Sequence, residues 1–225
     1  MNFIYEPKAE NGVAKLSERL NQELKRGKKV LWLVCGGSSI PLEVRAMAQV
    51  PQELQHNLTL ALTDERYGEF GHPDSNWQQL DEAGFQPGDA TSIPTLVPHL
   101  SLVETCETYE HNIATALAGA DIVIAQFGIG ADGHIAGALP DSPAITEDRL
   151  VAGYDAGNFT RVTLTPPALR QITVAYAFVY GDAKRETLQN LQDKNLPLKK
   201  QPAQILKQLP ETYIYNDVLK KDLRT

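Results

Sequence analysis

Near the start of the chain, apolar residues recur at helical spacing. Val13, Leu16, Leu20 and Leu24 share one face, which predicts an amphipathic helix over Asn11–Gly27 with Gly27 as its stop. The pattern then changes to a short unbroken apolar run, Val30–Cys35 (VLWLVC), the mark of a strand buried on both faces. A glycine turn follows, then a short helix from Pro41 to about Ala48 and a second strand, Leu58–Thr63. Asp64–Asn76 shows no period and reads as an irregular loop. Pro94–Pro98 reads as a short strand or coil. Leu102–Leu117 predicts a helix, with Ser101 as its N-cap and Gly119 as its stop. Asp121–Phe127 (DIVIAQF) is the strongest strand in the chain. Beyond it the pattern gives strands at Arg161–Thr165 and Thr173–Tyr180, a helix at Ala183–Leu191, a helix near Ala203–Gln208 and a strand at Thr212–Tyr215. Strands alternating with helices predict an α/β fold with a mostly parallel sheet and helices on both faces. No repeat, low-complexity stretch or linker divides the chain, so residues 1–225 are expected to form a single domain.

In sheets of this kind ligands sit beyond the carboxyl ends of the strands. That rule singles out the loops after Cys35, Thr63, Phe127 and Tyr180. The first, Gly36-Gly37-Ser38-Ser39-Ile40-Pro41, follows a buried strand and opens a helix. Its glycines allow close backbone approach, and the free N–H groups and dipole of the helix start favour an anion. Ser38 and Ser39 can add hydroxyl donors, although a plain serine-capped turn explains the same residues. No Lys follows the last Gly as in a Walker A loop, and there is no Gly-x-Gly-x-x-Gly fingerprint, which argues against ATP and NAD.

The second loop, Thr63-Asp64-Glu65-Arg66-Tyr67, runs on to His72-Pro73-Asp74-Ser75-Asn76. Arg66 can clamp an oxyanion, and Asp64 can orient a base or accept a sugar hydroxyl. Glu65 and Asp74 fit a structural ion pair or a helix cap better than catalysis. The third loop, Gly128-Ile129-Gly130-Ala131-Asp132-Gly133-His134, has three glycines that keep bulk away from a ligand. His134, just past the strongest strand, can take a proton from water and return it to a leaving group, with Asp132 close enough to orient the ring. The other histidines, His56, His72, His99 and His111, read as surface residues. Lastly, Arg161 opens a strand and Lys184 opens a helix. A lysine in a first helical turn opposes the helix dipole, and a bound phosphate is one reason for it to be there.

Composition narrows the partners. The chain has 225 residues and a formal net charge of −7, which argues against nucleic acid and anionic membranes but leaves room for a small anion. No apolar run reaches the length of a membrane span, and the N-terminus lacks a secretory pattern. The two cysteines, Cys35 and Cys106, read as reduced, buried thiols of a cytoplasmic protein. A Cys35 nucleophile is disfavoured by its place at the end of a buried strand. The absence of a Gly-x-Ser-x-Gly elbow argues against a serine hydrolase.

Taken together, CGGSSIP, TDERYGEFGHPDSN, FGIGADGHIAG, TRVTLT and VYGDAK, in this order from Cys35 to Lys184, resemble the sugar-phosphate family of 6-phosphogluconolactonases and glucosamine-6-phosphate isomerases (deaminases). The resemblance implies a modified Rossmann-like α/β domain with no metal or organic cofactor. The expected partner is a small phosphorylated sugar, and the expected assembly a monomer or homodimer. In the isomerase branch the histidine loop resembles DGHIAFNEP, with a catalytic Glu shortly after the His. In the lactonase branch it resembles DGHTASLFP. This chain reads DGHIAGALP, with Leu139 where the isomerase Glu would be, and its DER…DSN segment is similar to the lactonase loop. The implied reaction is hydrolysis of a phosphorylated sugar lactone, a step of the oxidative pentose phosphate pathway. The implied roles are His134 as general base, Asp64, Arg66 and Asp132 as its catalytic companions, and Arg161 and Lys184 as phosphate ligands. Gly36, Gly37, Ser38, Ser39 and Gly130 are the implied substrate-binding backbone. An amino-sugar-phosphate isomerase and a catalytically silent sugar-phosphate sensor are the competing expectations.

Overall fold

Strands whose residues are all apolar must be covered on both sides, and the structure, a computed structural model describing residues 1–220, is built around such strands. Residues 221–225, the end of a terminal segment without a readable functional signal, lie outside the described residues. In chain order the strands are β1 (Asn2–Tyr5), β2 (Val30–Val34), β3 (Leu58–Leu62), β4 (Asp64–Arg66), β5 (Thr91–Ser92), β6 (Ile122–Phe127), β7 (Val151–Asp155), β8 (Thr160–Leu164), β9 (Val174–Val179) and β10 (Glu211–Asn216). The α-helices are α1 (Glu10–Lys25), α2 (Ile40–Met47), α3 (Asn76–Glu82), α4 (Leu102–Gly119), α5 (Pro166–Leu169) and α6 (Arg185–Asp193).

Seven strands form one sheet in the order β1-β10-β9-β6-β2-β3-β5, and every neighbouring pair is parallel. Side chains alternate between the faces of a strand, and here the alternation separates two cores. Trp32, Val34, Ile122 and Ile124 pack with Leu16 and Leu20 of α1 and Met47 of α2. Leu31, Leu33, Val123 and Ala125 pack with Tyr109 and Ile113 of α4 and Leu188 of α6. The fold is therefore the expected α/β architecture with helices on both faces. Helix α4 begins at the expected cap, where Ser101 and Glu104 form a reciprocal capping box.

The expected loop at Asp64–Asn76 is corrected at its start. Asp64–Arg66 is a strand, paired antiparallel with β8, which pairs in turn with β7. The strand expected at Arg161–Thr165 therefore belongs to a small antiparallel sheet (β4-β8-β7), not to the parallel one. Thr63 joins the two sheets: its N–H donates to Val34 O at 2.7 Å, and its carbonyl accepts from Leu164 N at 2.9 Å. This junction tips β4 and β8 over the carboxyl ends of β2, β3 and β6. The Pro94–Pro98 segment is coil, and the edge strand lies just before it at Thr91–Ser92. The turn near Ala203 is a 3-10 helix, Pro202–Gln208.

Candidate active site

The register of the small sheet decides which side chains meet. Asp64 opposes Thr163 and Arg66 opposes Arg161, so Asp64, Arg66 and Arg161 share one face. That face closes a cavity of about 310 Å³ whose other walls are the glycine turn Gly36–Ser39, the stretch Gly128–Gly130, His134 and Lys184. Every site residue expected from the sequence lines this cavity except Asp132, which stands behind His134. Asn76, Ala136, Asn158 and Phe159 line it too and were not expected there. A larger cavity of about 470 Å³ is walled by Phe70, Trp77, Pro94 and Leu96 and has no cation in its lining, so it is unsuited to a phosphate.

Glu65 points to the opposite face of β4. Its fully buried carboxylate accepts from Asn76 N at 2.6 Å, Trp77 N at 3.2 Å and Ser75 Oγ at 2.9 Å, at the start of α3. Ser75 caps the same helix through Gln78 N. Glu65 is structural, as the sequence pattern favoured. His72 braces the same loop, with Nε2 2.9 Å from Arg66 O.

The His134 loop is a narrow hairpin. Ile129 bridges Ile135, Gly130 N donates to His134 O at 3.0 Å, and Gly133 turns the chain at φ +88. A side chain at Gly130 is impossible in this arrangement, because its Cβ would lie 2.0 Å from His134 Nδ1 and 2.3 Å from Asp132 Oδ1. The space a side chain would fill holds the His134–Asp132 pair, whose Nδ1–Oδ1 distance is 2.7 Å. The hydrogen bond from His134 holds the Asp132 carboxyl down at about 2. An ionised carboxylate only accepts, so in the neutral imidazole Nδ1 carries the proton and Nε2 keeps its lone pair. Outside the hairpin, Thr187 Oγ1 bonds Ala131 O and Ala203 N donates to Gly133 O at 3.0 Å.

Asp64 is buried, and burial pushes its carboxyl up while Arg161, Arg66 and His134 pull it down. Arg161 Nη1 lies 3.4 Å from Asp64 Oδ2, and the two side chains are only 11% and 9% exposed. Among the described residues Arg66 has no such partner; its Nη1 donates to Asp74 O at 2.8 Å. Among the described residues no carboxylate lies within 4.0 Å of Lys184. The cavity therefore holds one spent cation, Arg161, and two unspent ones, which suits an anionic ligand.

Cys35 lines the cavity floor, and burial pushes its thiol well up, so it stays protonated and is a poor nucleophile. Its N–H donates to Glu43 Oε1 at 2.6 Å. Glu43 is fully buried, and burial raises its carboxyl to about 8. The folded protein thus holds a proton that the unfolded chain gives up at ordinary carboxyl pH. Between about pH 4.5 and 8 the contribution of Glu43 to stability falls as pH rises, and above that window the loss levels off. Glu43→Gln is expected to flatten this slope, measured as Tm against pH for both proteins. Parallel curves would show that Glu43 is ionised throughout.

Comparison with known proteins follows the same outline. The model of the family described as glucosamine-6-phosphate isomerases/6-phosphogluconolactonase matches residues 6–214. A 6-phosphogluconolactonase of Synechocystis sp. is 30% identical over 177 residues, covering 72% of this chain and 71% of that protein. One from Thermotoga maritima is 28% identical over 194 residues, covering 82% and 85%. The crystal structure of a 6-phosphogluconolactonase from Thermotoga maritima superposes with a TM-score of 0.79 at 23% identity, covering 95% of this chain and 97% of that one. A monomeric glucosamine-6-phosphate deaminase superposes nearly as well, with a TM-score of 0.76 at 18% identity and coverage of 96% and 97%. The fold is thus common to both activities and does not separate them.

Proposed function

The chain belongs to the family of glucosamine-6-phosphate isomerases and 6-phosphogluconolactonases, and from that premise we propose that it hydrolyses 6-phosphoglucono-1,5-lactone to 6-phosphogluconate. The observation that carries this reading within the family is Leu139. It stands where the isomerase-like loop has its catalytic Glu, and it is absent from the cavity lining. Leu139 packs instead against the cluster of Ala138, Ala144, Ala152 and Tyr154, with its N–H 3.3 Å from Tyr154 Oη. Ring opening and amine departure need an additional proton-handling group, and this loop supplies a leucine. Ester hydrolysis needs only an activated water, an oxyanion site and a proton for the leaving oxygen.

His134 Nε2 takes the proton from a water, and the hydroxide attacks the lactone carbonyl carbon. The tetrahedral oxyanion is met by Arg66 or by backbone N–H groups of the glycine loops. Collapse breaks the bond to the ring oxygen, which receives the proton from His134. Asp132 fixes the tautomer of His134, and Asp64 orients the base or a sugar hydroxyl. Lys184, with Gly37, Ser38 and Ser39, holds the 6-phosphate, while Arg161, to which the family resemblance gives the same role, is paired with Asp64.

Two assays run side by side test the reading. Phosphogluconolactone hydrolysis is expected well above the spontaneous rate, and glucosamine 6-phosphate is expected to release no ammonia. Ammonia release would favour the isomerase branch. Thermal stabilisation by 6-phosphogluconate without turnover in either assay would favour a sensor.

A further inference from the structure

We propose that Phe159, at the tip of the β7–β8 hairpin, is a positioning residue that holds Arg66 in place to receive the charge developing on the lactone carbonyl oxygen; this rests on the lactonase reading above. The Arg66 guanidinium lies over the Phe159 ring, 5.3 Å from its centroid. The group has five N–H donors in a rigid plane. One bond goes to the Asp74 carbonyl, and Nε is buried without a partner. Arg66 sits directly across from Arg161, which repels it, and the nearby carboxylate of Asp64 is paired with Arg161.

Arg66 is therefore oriented by a carbonyl and an aromatic face. This distinction matters for catalysis. An ion pair would fix the guanidinium but neutralise it, whereas a ring face fixes its plane and leaves its charge and remaining donors available. Preorganised charge aimed at a developing oxyanion is worth most when it need not reorient during the reaction.

The hairpin is built to keep the ring in place. Gly157 turns at φ +86, its N–H donates to Asp155 Oδ1 at 2.8 Å, and Ala156 N donates to Phe159 O at 2.9 Å. On the other side, Tyr67 N donates to Thr160 O at 2.8 Å. The residue after Arg66 is thus tied to the residue after Phe159, so the backbones that carry the two side chains are held side by side.

Phe159→Leu keeps an apolar side chain and removes the ring, while Phe159→Tyr keeps the ring. In Phe159→Leu, kcat is expected to fall about three- to tenfold with KM within twofold, and Phe159→Tyr is expected to match the wild type. In an Arg66→Lys background the leucine change is expected to have little further effect. The same loss in both backgrounds, or a KM rise with kcat unchanged, would overturn the proposal. A second readout is independent of turnover. The Arg66 Nε–H resonance, identified by its loss in Arg66→Lys, is expected to carry a ring-current shift that disappears in Phe159→Leu and persists in Phe159→Tyr. An unchanged resonance in Phe159→Leu would overturn the clamp at any level of activity. A wild-type enzyme that shows this shift but no lactone hydrolysis would instead overturn the lactonase reading.

Discussion

His134→Ala is expected to lower kcat about a hundred- to ten-thousandfold, the range of positioned acid–base catalysis, with KM changed by only a few-fold. No other imidazole lines the cavity among the described residues, so nothing nearby can take over. Lys184 and the glycine turn are untouched by the change, which is why binding should persist. Asp132→Asn tests the same assignment from behind the ring. The carboxylate, 2.7 Å from Nδ1, can only accept. An amide there can donate to Nδ1, which moves the ring proton to Nε2 and removes the lone pair that water needs. Asp132→Asn should therefore lower kcat while leaving product affinity intact. The spontaneous hydrolysis of the lactone has to be subtracted in each case. Near wild-type turnover in His134→Ala would end the general-base assignment.

Much of this site was legible because the parallel sheet makes it so. Strands β2, β6 and β9 are buried along their whole length, and the sequence marks them by apolar runs, broken only by Gln126 in β6. Once they are placed, the loops at their carboxyl ends follow, and with them the glycine turn, His134 and Lys184. Strand β4 was not legible, because its three residues are Asp64, Glu65 and Arg66. One face of it looks into a polar cavity and the other caps α3, so no apolar alternation marks it. Strand β7 was hidden by Gly153, and the reason is packing: a Cβ there would stand 2.5 Å from Cys106 Sγ on α4. Asn158 and Phe159 reach the cavity only through the pairing of β7 with β8, so missing that strand concealed them. Glu43 was hidden in a different way. A charged residue on a short helix is normally solvated, and only the packed structure encloses this one completely. Asn76 was visible in sequence only as the end of the second loop, with no role given to it; its Nδ2 donates to Asp64 O at 2.7 Å.

Lys184→Ala and Arg161→Ala are expected to fail in different ways, although the family resemblance gives them one role. Lys184 has no carboxylate partner among the described residues, so its removal costs the protein little and costs a bound phosphate a charge-assisted contact. Such contacts contribute about 1.5–3 kcal/mol, roughly a ten- to hundredfold rise in KM for the phosphorylated lactone. Turnover of the unphosphorylated lactone should not change. Arg161 is held against Asp64 at 3.4 Å in a largely buried pair. Removing it strands a carboxylate that burial already pushes up, and breaking such pairs costs about 3–5 kcal/mol. Asp64 would then retain its proton further into neutral pH. The folded state would bind more protons than the unfolded chain, so Arg161→Ala should be more destabilised at pH 8 than at pH 5. Its activity should fall on phosphorylated and unphosphorylated lactone alike, because Asp64 changes state beside His134. Tm at the two pH values, together with kcat/KM on both lactones, separates the two residues. If Arg161→Ala kept its Tm and lost only the phosphorylated substrate, Arg161 would be a free phosphate ligand, and the charge of Asp64 would have to be held by Arg66 instead.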